Sequence, residues 1–227
     1  MQGFLCWHFN YLPLNSSRFS TLDEQAAMKQ IVFLCTLLMT CQSFGKTSEA
    51  NKLDHHLHQL TQRVTRHTTS SEEKVKAIFL WISHNISYDQ ELYNSKTLQR
   101  EFYVSEEKVV QKVLERKKAL CGGYAFLFQR MCRSAGIEAT VIHGYTKNGA
   151  TRRVKRRVHH TWNAVKLKGK WQLLDITWAI SHGQRNRPNM YWYRTPPRSF
   201  ILSHYPEEPR WTLLRHPLSF EAFKNSR

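Results

Sequence analysis

"KALCGGYAFLFQRMC", residues 118–132, decides how this chain is read. From Cys121 to Ala135 the sequence is apolar on every side, through Tyr124, Phe126, Leu127, Phe128 and Met131. A helix with no polar face belongs in a core, so this segment is expected to be the buried central helix, with Gly136 ending it. Two of the five cysteines lie on it. On a helix the eleven residues between Cys121 and Cys132 span about 16 Å. A disulfide needs Cα atoms within about 7 Å, so these two cannot bridge each other. Cys132 reads as a packing group. Cys121 stands at the helix start, where backbone N–H groups and the helix dipole favour a thiolate. Gly122 and Gly123 beside it suit a close approach of substrate to the backbone. A lone cysteine in this setting is still more often structural, and it needs a base.

Outward from this helix the elements fall into two groups. Upstream, "SSEEKVKAIFLWISHNISYD" (70–89) opens on Ser70 or Ser71 as an N-cap, and Val75, Ile78, Phe79 and Ile82 share one helical face. "SEEKVVQKVLERKKA" (105–119) repeats the pattern, with Val109, Val113 and Leu114 as the stripe. Downstream the period shifts towards two. "EATVIHGY" (138–145), "HTWNAVKL" (160–167) and "KWQLLDITW" (170–178) read as strands. Helices followed by strands predict an α+β domain, a buried helix packed on an antiparallel sheet. The aromatic and Pro-rich tail, 191–214, reads as short strands and turns wrapping that sheet.

The base comes from the strands. With Lys168–Gly169 as a two-residue turn, paired residue numbers sum to 337, and Asp175 falls opposite Trp162 on the face that carries His160. Diagonal neighbours stand about 7–8 Å apart at the backbone, within reach of an Asp–His pair. A loop at Gly169–Lys170 keeps the shared face, and a regular three-residue loop breaks it. Asp175 also sits within an apolar strand, where a carboxylate needs a partner. A Cys121–His160–Asp175 triad is therefore permitted: nucleophile, general base and orienting carboxylate. Taken one at a time, each has a plainer reading as packed Cys, surface His or capping Asp.

Three separated blocks now stand in order: "ALCGGYAFLFQRMCRSAGIEATVIHGY", "HHTWNAVKLKGKWQLLDITW" and "FILSHYPEEPRWTLL", with "IFLWISHNISYD" upstream. Together they resemble the transglutaminase-like superfamily, most nearly its kyphoscoliosis-peptidase-like branch, over roughly residues 70–214. The resemblance implies a papain-like α+β fold and acyl transfer through a thioester, to water or to an amine. It assigns the nucleophile to Cys121, the histidine to His160 and the aspartate to Asp175. Gly122, Gly123 and Trp162 are the candidate substrate-binding residues. No calcium signature of animal transglutaminases is evident, and no metal or cofactor is called for. His160 is followed by Thr161, where the family often has a small apolar residue. Trp211–Thr212 replaces an expected Trp–Gln.

Charge and targeting bear on location. The 227 residues carry a net charge of +17 and are 41% hydrophobic, enough for one domain with a true core and an affinity for anionic surfaces. Residues 28–45, "MKQIVFLCTLLMTCQSFG", have a basic start, a short apolar run and a small-residue end, the layout of a signal peptide cleaved after Gly45. The plainer reading is an apolar helix of the fold, and lipidation at Cys41 fits poorly after Thr40. Residues 1–27 then read as an over-extended start, 46–69 as an N-terminal helical segment and 70–227 as the transglutaminase-like domain. The run Ile31–Met39 is too short to span a bilayer, which takes about 20 residues. Removing 1–45 deletes Arg18, Lys29, Asp23 and Glu24 and so leaves the charge at +17. It also leaves only Cys121 and Cys132. The expected product is a secreted or periplasmic cysteine enzyme acting on a protein or peptide substrate, with an anionic cell-envelope polymer as a further partner. The rival is a noncatalytic binding module of the envelope. Nucleic acid is not expected: the basic run Arg152–Arg157 comes without a binding motif and reads as a solvated hairpin loop. His55 and His58, one helical turn apart, lack a third ligand and read as surface histidines.

Overall fold

The computed structural model describes residues 29–30, 51–147, 159–184 and 187–226. The basic run, residues 1–27 and all but Lys29 and Gln30 of the expected signal peptide lie outside the described residues. From Ala50 onward the chain forms one compact unit.

Helix α1 (51–65) buries Leu57 and Leu60. Helix α2, Ser71–Asn85, starts at a capping box: Ser70 Oγ accepts the Glu73 N–H and Glu73 accepts the Ser70 N–H, both at 3.2 Å. Such a cap is worth about 1 kcal/mol. Val75, Ile78, Phe79 and Ile82 are fully buried, the face expected from their spacing. Strand β1 (Ser87–Tyr88) then leads into the short helices α3 (Gln90–Asn94) and α4 (Lys96–Phe102). Asp89, fully buried, caps α3 through the Leu92 N–H and takes Arg116 at 2.9 Å. Helix α5 (Glu106–Arg116) buries Val110 as well as Val109, Val113 and Leu114. It stops where Lys117 turns left-handed, and β2 (Lys118–Ala119) pairs parallel with β1. That pairing sets Tyr88 across from Ala119, two residues before Cys121.

Helix α6 spans Cys121–Ser134, and Gly136 follows at φ +73°, a conformation suited to glycine at a helix end. Leu127, Phe128, Met131 and Cys132 are fully buried. Each large apolar side chain so buried contributes roughly 1.5–3 kcal/mol. The helix packs against α2 and α5 and against strands β3 (Ala139–Thr146) and β4 (His160–Leu167). Asn163 of β4 fixes it there, donating to the carbonyls of Ala125 on α6 and Thr140 on β3. The four-stranded sheet runs β5–β4–β3–β6, antiparallel throughout, with β5 at Lys170–Leu174 and β6 at His204–Pro206. Leu167 pairs with Lys170 and Asn163 with Leu174, the register that a Lys168–Gly169 turn requires. Both turn residues have positive φ, 50° and 74°, as a two-residue hairpin turn demands.

One expected element is corrected. The strand read over 170–178 ends at Leu174, and Ile176–Ser181 is a helix, α7, with Asp175 as its N-cap. Ile176 and Trp178 mimic the alternation of a strand, but an aspartate whose carboxylate takes the N–H three residues on starts a helix instead. The tail packs as α8 (Pro197–Phe200), β6 and α9 (Phe220–Asn225), with β6 joining the sheet beside β3.

Candidate active site

Four elements converge at one end of the sheet. Cys121 is the first residue of α6, half-buried, behind Leu120 in extended conformation. His160 is the first residue of β4 and pairs with Gly144 of β3. Asp175 lies one residue past β5, fully buried, and begins α7. His204 opens β6 opposite Thr146 and is also fully buried.

The carboxylate of Asp175 is held from three sides. Oδ1 accepts the Trp178 N–H at 2.9 Å, the helix-capping bond. Oδ2 meets His160 Nε2 at 2.5 Å and His204 Nε2 at 3.0 Å. Burial alone would raise its pKa, but the charge and hydrogen bond of His160, with those of His204, hold it well below the usual carboxylate range. His160 moves the opposite way. Burial works against its charged form, yet Asp175 and then Cys121 outweigh that and lift it to about 10. With Nε2 committed to Asp175, the His160 nitrogen left for the sulfur is Nδ1. Burial would push the Cys121 thiol up. The hydrogen bond and charge of His160, together with the Gly122 N–H, overcome both burial and the Asp175 charge, so its pKa is lowered. Cys132 has only burial acting on it and is pushed far up. The two thiols of the opening stretch are thus opposite in character.

Cys121 and His160 lie on an open cleft of about 1030 Å³. Tyr88, Tyr93 and Lys96, from β1, α3 and α4, line it together with His159, Thr177 and Trp178. The candidate binding residues sit elsewhere in part. Trp162 is 1% exposed and stacks with His160 at 6.0 Å between centroids, supporting the imidazole from within the core. A side chain at position 123 would meet Val113 at 2.8 Å and Ala119 at 3.0 Å, so Gly123 is required by packing of α6 on α5 and β2. Gly122 faces the Tyr103 ring, which a Cβ would touch at 3.0 Å. The cleft tyrosines and His204 were not singled out from the sequence. His204 lies in the quoted block "FILSHYPEEPRWTLL", but nothing local distinguishes it from a loop histidine.

His160 Nε2, Asp175 Oδ2 and His204 Nε2 lie within 4.8 Å of one another and are donor types that a metal takes. Two of the separations, 2.5 and 3.0 Å, are those of hydrogen bonds. Ligands arranged tetrahedrally about zinc stand about 3.3 Å apart. The cluster is a hydrogen-bond network. His55 and His58 are exposed and bond to Gln59, Gln62 and Ser134.

The transglutaminase-like superfamily matches residues 58–176. Kyphoscoliosis peptidase of Mus musculus is 34% identical over 179 residues, 75% of this chain and 26% of that protein. Hillarin of Drosophila melanogaster is 26% identical over 190 residues, 73% of this chain and 22% of that protein. A crystal structure of a TGase aligns with a TM-score of 0.43 at 24% identity, over 66% of this chain and 36% of that one. The chain spans about a quarter of the length of the curated relatives it matches.

Proposed function

The chain belongs to the transglutaminase-like superfamily, and on that premise we propose that it is a cysteine enzyme that hydrolyses peptide or isopeptide bonds through a thioester. The observation that carries this reading is geometric: Cys121 opens α6 on the same cleft as His160, an imidazole whose Nε2 is anchored on the buried Asp175 carboxylate. Cys121, His160 and Asp175 form the triad. The Cys121 thiolate attacks the carbonyl carbon, and the developing oxyanion meets N–H groups at the start of α6. The charged His160 gives its proton to the leaving amine, which departs and leaves an acyl-cysteine. His160 then takes a proton from water, and the hydroxide completes hydrolysis. Asp175 keeps the imidazole in one tautomer and orientation throughout. An amine entering in place of water would give transamidation by the same steps. The name of the mouse and human relatives, peptidase, supports a peptide carbonyl as the substrate. No cofactor is needed for these steps.

Iodoacetamide at pH 6 tests the reading. Cys121 should alkylate far faster than Cys132, and His160→Ala should erase the difference. Equal, slow labelling would leave a noncatalytic binding module. The reading of residues 28–45 as a signal peptide adds export. A secreted chain whose N-terminus is Lys46 supports it, and a full-length chain retained in the cytosol refutes it.

A further inference from the structure

Among the buried titratable groups, His204 has no part in the chemistry above, yet it touches the same oxygen as His160. Its ring is 0% exposed and is walled by Phe200, Trp178, Trp162 and Trp192, with centroids at 4.2, 4.4, 5.2 and 5.2 Å. Nε2 stands 3.0 Å from Asp175 Oδ2 and Nδ1 stands 2.8 Å from Ser203 Oγ. These contacts fix the tautomer. An unprotonated Nε2 would set a lone pair against a carboxylate in a dry site, so Nε2 carries the proton and donates it. Nδ1 is then an acceptor for the Ser203 hydroxyl.

Asp175 Oδ2 therefore accepts two N–H donors, one from each histidine. Such a donor fixes the plane of the carboxylate, and it competes with His160 for the negative charge on that oxygen. A packing residue would need neither the direction nor the proton. Resting on the triad reading above, we propose that His204 is a positioning residue: its Nε2–H holds Asp175 at the angle from which the carboxylate can anchor His160 beside Cys121. The class of side chain the position requires is a neutral, buried N–H donor, supplied from β6 about forty residues beyond His160.

The test compares the full chain with His204→Gln, whose Nε2 can replace the ring donor, and His204→Phe, which keeps volume and loses the donor. Alkylation of Cys121 is followed by peptide mass spectrometry from pH 4 to 9, with Cys132 as the internal reference. His204→Gln is expected within about threefold of the parent. His204→Phe, folded by near-UV circular dichroism, should lose at least tenfold in rate on the acid side, with Cys132 unchanged. A His204→Phe profile like the parent's refutes the proposal, as does an equal loss in both variants, which makes His204 a packing residue. If His204→Phe does not fold, nitrogen-15 NMR of the parent decides: a neutral Nε2–H tautomer for His204 at pH 7 supports the proposal, and Nδ1–H or a charged ring overturns it. Slow Cys121 labelling in the parent defeats the triad reading itself. Fast parent labelling that ignores His204→Phe defeats only the positioning role.

Discussion

Acid should destabilise this protein through His204 by an amount that can be worked from its surroundings. Burial pushes the imidazole down to about 4 from an ordinary 6.5; the Asp175 hydrogen bond and charge oppose this, and the His160 charge adds to it. The folded ring is neutral where the unfolded one is already charged. Between about pH 6.5 and pH 4, unfolding therefore takes up one proton, and each pH unit of acidification costs about 1.4 kcal/mol of stability. Across that window the loss reaches about 3 kcal/mol, and it levels off below the folded value. The partners do not confuse this range. His160, held up at about 10, is charged in both states there, and its contribution, full below about 6.5, fades as pH rises from there to about 10. Asp175, held low, contributes stability that is lost only at more acid pH. Urea unfolding of the parent and of His204→Gln at pH 7, 6, 5 and 4 isolates the effect, because Gln keeps the donor and cannot titrate. Whatever the substitution costs at pH 7, the parent should lose about 3 kcal/mol more than the variant on reaching pH 4. Parallel curves would refute the account, since they would mean that His204 titrates alike in both states.

Three further outcomes follow from the geometry. Asp175→Asn keeps a good N-cap for α7 but leaves the buried His160 without its carboxylate, so acyl transfer should fall by about 10³–10⁴ and stability by about 3–5 kcal/mol; Asp175→Ala should lose about 1 kcal/mol of cap as well, read by denaturant midpoint. A Cβ at position 144 would lie 2.3 Å from the Tyr205 carbonyl and 2.5 Å from the Trp162 ring, so Gly144→Ala should cost about 1–3 kcal/mol or more in thermal unfolding by forcing β6 off β3. Lys168 sits at φ 50° ahead of Gly169, and Lys168→Asn should stabilise by about 0.5 kcal/mol in urea unfolding; its exposed contact with Glu72 at 3.4 Å is too weak to reverse the sign.

Much of the site was legible because it rests on local pattern. A mostly apolar run ending in Gly136 gives α6, and the position of Cys121 at its start follows. The Lys168–Gly169 turn gives the β4–β5 register, and that register carries Asp175 towards His160. The β-like alternation of Ile176 and Trp178 concealed α7, because whether those residues continue a strand depends on what Asp175 caps. Trp162 and Gly123 looked like binding groups from their neighbours in sequence, and packing accounts for both.

Sequence alone therefore determined the fold class, the helix that carries Cys121 and the hairpin that brings a histidine to a carboxylate, since each depends on neighbours within a few residues. The tertiary structure decided which nitrogen of His160 faces which partner, that Trp162 lies beneath the imidazole, and that Tyr88 and Tyr93 face the cleft. It also decided that His204 shares Asp175. Those depend on burial and on contacts between distant strands. A histidine's role is set by the oxygen its ring nitrogen meets and by the water it has lost, and for His204 neither is written near it in the chain.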